Sequence, residues 1–324
     1  MSEKIILAYS GGLDTSVAIK WIQENYGYEV VTLTADLGNV SDLPAIKQKA
    51  IDVGAIAAHV ADVRSEFVTD FVFPALRANA MYQGVYPLAT ALGRPLIARL
   101  MVEAARKEGA SAVAHGCTGK GNDQVRLDVS VGALAPDLKV IAPAREWGMT
   151  RLEEIDYARK HNIEVPNTAD KPYSTDDNVW GRSIEAGVLE DPSVEPPDDV
   201  YEWTSDLADC PEDPLYLNIR FEKGNPVAIN DERMDSLALV EFLSNIAGTH
   251  GIGRIDHIED RLVGIKSREI YEAPAAVVLV TAHKALENMV LSRAQGRFSE
   301  IVATEYSNLV YDGLWFSHLR DNLQ

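Results

Sequence analysis

The chain has 324 residues, 46% of them hydrophobic, enough for two domains with sizeable buried cores. A formal net charge of -19 excludes a phosphodiester backbone as the main partner, although local N–H groups and a few arginines can still hold a nucleotide. No apolar run approaches the roughly 18–20 residues needed to span a bilayer, the N-terminus lacks a signal-peptide layout, and Cys117 and Cys210 offer neither a disulfide framework nor a zinc site; a cytoplasmic protein without membrane association is expected.

From the N-terminus, residues 4–9 read as a short apolar strand and 17–22 as the start of a helix, with Ser10, Gly11, Gly12, Leu13, Asp14, Thr15 and Ser16 between them. Adjacent glycines let the backbone turn its N–H groups toward an anion, and the following helix adds the positive end of its dipole. The hydroxyls of Ser10, Thr15 and Ser16 complete a phosphate cradle without a lysine. Neither the Walker spacing nor the three-glycine dinucleotide fingerprint is present. The septet instead resembles the S-G-G-x-D-[ST] loop of the ATP pyrophosphatases, which grips the β,γ-pyrophosphate while chemistry occurs at the α-phosphate.

Strand–helix alternation continues: strands at 29–34, 55–61, 110–114 and 139–142, and helices capped by Ser41-Asp42 through residue 53, at 66–80, at 95–107, and from the Thr150/Glu153 capping box to residue 161. This pattern predicts an α/β fold, a doubly wound parallel sheet with ligands at the C-terminal strand ends, where Ser10, Ala35 and Gly116 fall. Composition shifts over 162–214, an acidic stretch punctuated by Asp191-Pro192, Pro196-Pro197 and Asp213-Pro214. Alternation at Leu217, Ile219 and Phe221, a turn at Gly224-Asn225-Pro226 and the return at Val227 and Ile229 predict a hairpin. Helices are expected from Asp235 to about Ala247, over 274–293, and from Gly296 onward. The expected division is a nucleotide-binding domain over 1–165 and an α+β domain over 166–324.

A second glycine-rich stretch, 116–123, also follows an apolar strand. Thr118, Asn122 and Asp123 suit an amino acid's ammonium and carboxylate groups, and Arg126 places a guanidinium fork one helical turn beyond Asn122. Taken together, residues 8–16 and 115–126, with Tyr86-Pro87-Leu88, residues 94–97, Tyr173-Ser174, 178–187 and 259–274, resemble the argininosuccinate synthase family nearly end to end.

The resemblance implies an adenine nucleotide alpha hydrolase-like domain followed by a synthetase domain, and a ligase that joins citrulline to aspartate with release of AMP and pyrophosphate. It implies ATP contacts at Ala8, Tyr9, Ser10, Gly11, Gly12, Leu13, Asp14, Thr15, Ser16, Ala35 and Gly116. Aspartate would meet Thr118, Asn122 and Asp123; citrulline would meet Tyr86, Asn122, Arg126, Ser174, Ser183, Glu259 and Tyr271. Mg²⁺ would accompany ATP, no protein metal ligand or general base is assigned, and the expected assembly is a homotetramer. Cys117 reads as a small buried residue.

Two local departures stand out: Gly38-Asn39-Val40-Ser41 where family members commonly have Gly-Gln-Gly and an acid, and Arg126-Leu127-Asp128 where Arg-Phe-Glu is usual. The sequence stops at Gln324 within a helical pattern, where family members continue into a segment that helps tetramers form, so oligomerisation is the property placed in question. Two rival functions stay open. One is another adenylating ATP pyrophosphatase, such as a tRNA sulfurtransferase or an amidotransferase-type synthetase, although the paired cysteines, basic face or glutaminase domain these want are not in the sequence. The other is a non-catalytic nucleotide-binding relative.

Overall fold

The computed structural model describes residues 3–38, 40, 42–119, 121–165 and 173–324. Its first half runs β1 (Lys4–Ala8), α1 (Leu13–Tyr26), β2 (Glu29–Asp36), α2 (Leu43–Val53), β3 (Ala57–Asp62), α3 (Arg64–Phe67), α4 (Phe73–Arg77), α5 (Ala89–Glu108), β4 (Ala112–Ala114), α6 (Asp123–Leu134), β5 (Lys139–Ile141), α7 (Pro143–Glu146) and α8 (Arg151–Lys160). The five strands form one parallel sheet in the order β3-β2-β1-β4-β5. Side chains alternate across β1. Ile5 and Leu7 pack beneath α1 with Val17, Ile19 and Ile22, while Ile6 joins Ala98, Met101 and Leu127 of α5 and α6 on the other face. The doubly wound parallel sheet expected from the alternation is present.

The second half runs β6 (Ser174–Asn178), β7 (Gly181–Glu185), β8 (Ile219–Glu222), β9 (Asn225–Ile229), β10 (Glu232–Arg233), α9 (Ser236–Thr249), β11 (Arg254–Asp260), β12 (Lys266–Glu272), α10 (Pro274–Val290), α11 (Arg293–Tyr311) and α12 (His318–Leu323). It holds a three-stranded sheet, β10-β9-β8, and an antiparallel four-stranded sheet, β11-β12-β7-β6. The largest core cluster joins the two halves: Phe67, Phe71 and Leu92 pack in the same cluster as Trp180, Leu243, Leu279 and Trp315.

Several element limits differ from the sequence reading, each for a local reason. Helix α1 starts at Leu13 rather than near Val17, because Gly12 takes the extended N-cap conformation and the last four residues of the septet are already helical. The expected 66–80 helix is interrupted by a π-helical turn, Val68–Val72: Pro74 has no N–H to return to the carbonyl four residues back, and the ladder widens ahead of it. Helix α5 begins six residues before Pro95, with the Tyr86 hydroxyl accepting the Thr90 N–H at 3.0 Å in its first turn. The hairpin turns at Lys223-Gly224, both with positive φ, so Asn225 and Pro226 belong to β9. The expected 274–293 helix stops at Val290, and a Ser292/Gln295 capping box starts α11, leaving Gly296 inside it. Asp42 caps α2 as expected; Ser41, its proposed partner, lies outside the described residues, as does Asn39.

Candidate functional site

Order β3-β2-β1-β4-β5 reverses direction between β1 and β4, the place where an open parallel sheet leaves a crevice. The loops after these two strands are the two glycine-rich stretches. They touch: a Cβ built on Gly116 would stand 2.9 Å from Thr15 Cγ2. Only glycine lets the second loop approach the first turn of α1 this closely.

Gly11 has φ +80°, which suits glycine, and Gly12 caps α1 with no side-chain acceptor for its first N–H groups. Ser10 Oγ lies 3.2 Å from Thr15 Oγ1 and accepts the Gly12 N–H at 3.3 Å. Thr15 and Ser16 donate to the Gly12 carbonyl at 3.3 and 2.8 Å. The hydroxyls thus shape the turn, while the helix N-terminus is left for an anion. Tyr9 is buried, its hydroxyl 3.0 Å from Ser16 Oγ. Its side chain therefore supports the loop from the core. Two cations that the sequence did not single out face the loop: Lys49 Nζ donates to the Gly11 carbonyl at 2.8 Å, and Arg151 pairs with Asp14 at 2.5 Å. Arg151 also reaches Glu154 at 2.8 Å. Burial, then the hydrogen bond and charge of Asp14, push the Glu154 carboxyl up to about 7.

Beyond the second loop lies a narrow cleft of about 80 Å³. It collects Tyr86, Asn122, Asp123, Arg126, Ser183, Glu259 and Tyr271, seven of the residues singled out from the sequence, and adds Thr90, Asp176, Glu185, Arg261 and Glu269. Six elements supply them: α5 and its entry, α6 and its entry, β6, β7, β11 with the residue after it, and β12. The Tyr86 and Tyr271 rings stack with centroids 4.1 Å apart. Thr90 Oγ1 lies 3.4 Å from Ser183 Oγ. Glu259 accepts hydrogen bonds from the Tyr271 and Tyr311 hydroxyls, one on each carboxylate oxygen. Burial nonetheless raises its carboxyl above the usual range, against the lowering effect of those bonds.

Charge in the cleft is arranged around Asp123. It accepts from Arg94 at 2.7 Å and from Arg126 at 3.0 Å, and Arg94 also holds Asp176. Burial alone would raise the Asp123 carboxyl; the two guanidiniums outweigh it and hold it below the usual carboxylate range. Asp176 goes the other way, raised by burial and by the charge of Asp123 despite Arg94. Arg126 is 3% exposed, and its second terminal nitrogen has no hydrogen-bond partner. A buried guanidinium N–H without an acceptor is costly, and this one lines an open cleft, a position that suits a ligand carboxylate. Five lining carboxylates against two lining guanidiniums give the same cleft a surplus of negative charge suited to a ligand ammonium.

The other expected residues are spread more widely. Ala8 and Ala35 sit at the ends of β1 and β2, the latter paired with Ala61 of β3. Thr118 is exposed in the loop before α6, and Lys120 lies outside the described residues. Ser174 is exposed at the start of edge strand β6, opposite Glu185, which does line the cleft. Burial pushes the Cys117 thiol up to about 12, the behaviour of a packed thiol rather than a nucleophile. Of the departures, Leu127 is buried and Asp128 accepts from His115 at 2.9 Å and Arg145 at 2.8 Å. Gly38, φ +108°, packs so tightly on Val179 that a Cβ would stand 2.4 Å from its Cγ1. Among the described residues, no group of three or more His, Cys, Asp or Glu side chains is placed to hold a metal ion.

Comparison with known proteins agrees with this layout. The family model described as the arginosuccinate synthase N-terminal HUP domain matches residues 4–164, and that of the C-terminal domain matches 173–324. Argininosuccinate synthase of Dehalococcoides mccartyi is 59% identical over 323 residues, covering 100% of this chain and 80% of that protein. Those of Dictyoglomus turgidum and Symbiobacterium thermophilum are 58% and 57% identical, each covering 99% of this chain and 80% of the relative. With both halves matched and the identities running from end to end, the chain belongs to the argininosuccinate synthase family.

Proposed function

We propose that the chain is the ATP-dependent ligase that joins citrulline to aspartate, forming argininosuccinate, AMP and pyrophosphate in arginine biosynthesis. The observation that carries this reading is the meeting of the two glycine-rich loops at the switch point, with an orphaned buried Arg126 N–H in the cleft just beyond.

In this reading the first turn of α1, with the backbone of residues 8–16, holds the β,γ-pyrophosphate of ATP, and Ala35 and Gly116 border the nucleoside. Arg126 takes the carboxylate of citrulline, and Glu259, with Tyr86, Asn122, Ser174, Ser183 and Tyr271, its ammonium and ureido groups. Thr118, Asn122 and Asp123 receive aspartate. The ureido oxygen attacks the α-phosphorus, the bond to the bridging oxygen breaks and pyrophosphate leaves; the aspartate amine then attacks the ureido carbon, expelling AMP. Both steps call for positioning and charge stabilisation rather than a covalent enzyme nucleophile. Mg²⁺ bound with the nucleotide would supply charge neutralisation for the departing pyrophosphate.

The domain boundary is placed at 165/166. We assign the protein to the cytoplasm; among the described residues no helix is long and apolar enough to cross a membrane. A homotetramer is supported by a run of exposed apolar side chains, Met289, Val290, Phe298 and Ile301, along α10 and α11.

The test is pyrophosphate release from ATP with citrulline and aspartate supplied singly and together. Release that requires citrulline is the expected result. Release without it would replace this reading with another adenylating activity, and no release under any combination would favour a non-catalytic relative.

A further inference from the structure

We infer that Tyr311, at the C-terminal end of α11, is a positioning residue for citrulline; the inference rests on the reading above. Tyr311 is 1% exposed and stands behind the cleft wall rather than in it. It nevertheless engages three of the side chains assigned to citrulline. Its hydroxyl donates to Glu259 and accepts from the Asn122 amide at 2.8 Å. Its carbonyl accepts from Arg126 Nε at 2.9 Å, and its ring lies 4.7 Å beneath the Arg126 guanidinium carbon.

Each contact fixes a direction. The Asn122 side-chain oxygen accepts the Leu262 N–H at 2.9 Å, so with Tyr311 on its nitrogen the amide has one orientation. One Glu259 oxygen is held by Tyr271 and the other by Tyr311, which sets the plane of the carboxylate. Arg126 spends Nε on Tyr311 and one terminal nitrogen on Asp123, leaving the second terminal nitrogen as the unpartnered donor.

Tyr311 is itself immobilised. Its ring stacks on Tyr82, centroids 3.5 Å apart and planes 6° from parallel. Two residues on, Gly313 has φ +79°, and a Cβ there would stand 2.7 Å from Arg126 Cα, so the end of α11 is seated directly on the backbone of α6. A single tyrosine thereby ties α11, α6 and β11 to one ligand-binding geometry.

Tyr311→Phe keeps the ring, its stack and its face toward Arg126, and removes only the hydroxyl. The expected result is a rise of about tenfold in KM for citrulline with KM for ATP within about twofold of the wild type, because the hydrogen bonds and ring contacts of Tyr311 reach Asn122, Arg126, Glu259, Tyr82 and Tyr86 and none of the residues assigned to ATP. A merely structural role would lower the melting temperature and leave the two KM values in their original ratio; that outcome overturns the inference. Should the variant fail to fold, 3-fluorotyrosine placed at 311 through a suppressed amber codon retains the hydroxyl. Its ¹⁹F resonance is expected to move on addition of citrulline and to stay in place on addition of ATP; a resonance indifferent to citrulline overturns the inference. A wild-type chain with no citrulline-dependent turnover would remove the functional reading and this inference together, whereas an active wild type with an unaffected Tyr311→Phe would remove the inference alone.

Discussion

Gly116→Ala tests whether the two loops act as one nucleotide site. The added methyl would meet Thr15 Cγ2 at 2.9 Å, where carbon atoms prefer about 3.5–4.0 Å. Something must therefore retreat by roughly 0.6–1 Å. Thr15 is a short, β-branched side chain, 8% exposed and hydrogen-bonded to Ser10 and the Gly12 carbonyl, so it has little rotamer freedom with which to yield. The strain passes to the first turn of α1, which carries the N–H groups proposed to hold the pyrophosphate. Overpacking of this kind costs about 1–3 kcal/mol, which would lower the melting temperature by several degrees. A displacement approaching 1 Å at a positioning group costs up to about 100-fold in rate. We predict a fall of about 10–100-fold in kcat/KM for ATP, with KM for citrulline within about twofold because Asn122 remains anchored by Tyr311 and Leu262. Steady-state kinetics with each substrate varied in turn, together with calorimetry, would decide. An unchanged kcat/KM for ATP in a folded variant would refute the argument, since it would mean that contact between the loops is irrelevant to the nucleotide.

Two further predictions concern charge. In Arg126→Lys the ammonium can pair with Asp123 but cannot also reach the Tyr311 carbonyl and a ligand carboxylate as a planar fork does; losing one charge-assisted hydrogen bond, about 1.5–3 kcal/mol, is expected to raise KM for citrulline roughly 10–100-fold. An unaltered citrulline KM would dissociate Arg126 from that substrate. Glu154 titrates near 7 in the folded chain against an ordinary 4.5, so between these values the folded state binds the extra proton. Its contribution to stability is greatest below about pH 4.5 and declines as pH rises to 7, by of order 2 kcal/mol. Glu154→Gln should flatten denaturant-measured stability across that window, and the same slope in the variant would show that another group is responsible.

What could be read from the sequence was what the chain specifies locally. Strands β1 and β4 are mostly apolar, β2 carries Val30, Val31 and Leu33, and all three are buried on both faces; the septet announces a turn whose Gly11 takes the positive φ that suits glycine, so the parallel sheet and its nucleotide crevice were legible. The four-stranded sheet was not. Ser174–Asn178 reads Ser-Thr-Asp-Asp-Asn, with no apolar side chain to reveal a strand period. Its neighbours are fixed instead by ion pairs between distant residues: the buried pair of Arg182 with Glu272, whose carboxylate also accepts the backbone N–H groups of 202–204, and the half-buried pair of Arg94 with Asp176. Pairing of this kind leaves no mark at any spacing along the chain.

The same division runs through the site. Residues of the nucleotide loop act through main-chain groups, and a run of glycines is enough to disclose them. The cleft acts through side chains gathered from six elements, and here chemistry alone pointed to Asn122, Asp123 and Arg126 while the resemblance to a family supplied Tyr86, Ser183, Glu259 and Tyr271. Arg94, Asp176, Arg261, Glu269 and Tyr311 escaped because each earns its place by what it does to another side chain. Arg94 and Arg126 together keep Asp123 ionised, whereas burial and the charge of Asp123 push Asp176 toward its neutral form against Arg94, and neither consequence can be inferred from a residue type. A cleft that must receive a carboxylate and an ammonium together needs cations and anions held apart at close range without collapsing onto one another. Stacked tyrosines, Tyr86 on Tyr271 in the cleft wall and Tyr82 on Tyr311 behind it, keep Glu259 accepting from hydroxyls while Arg126 pairs elsewhere, with Asp123. That separation leaves the Arg126 N–H and the surplus acidic charge for a substrate instead of cancelling within the protein.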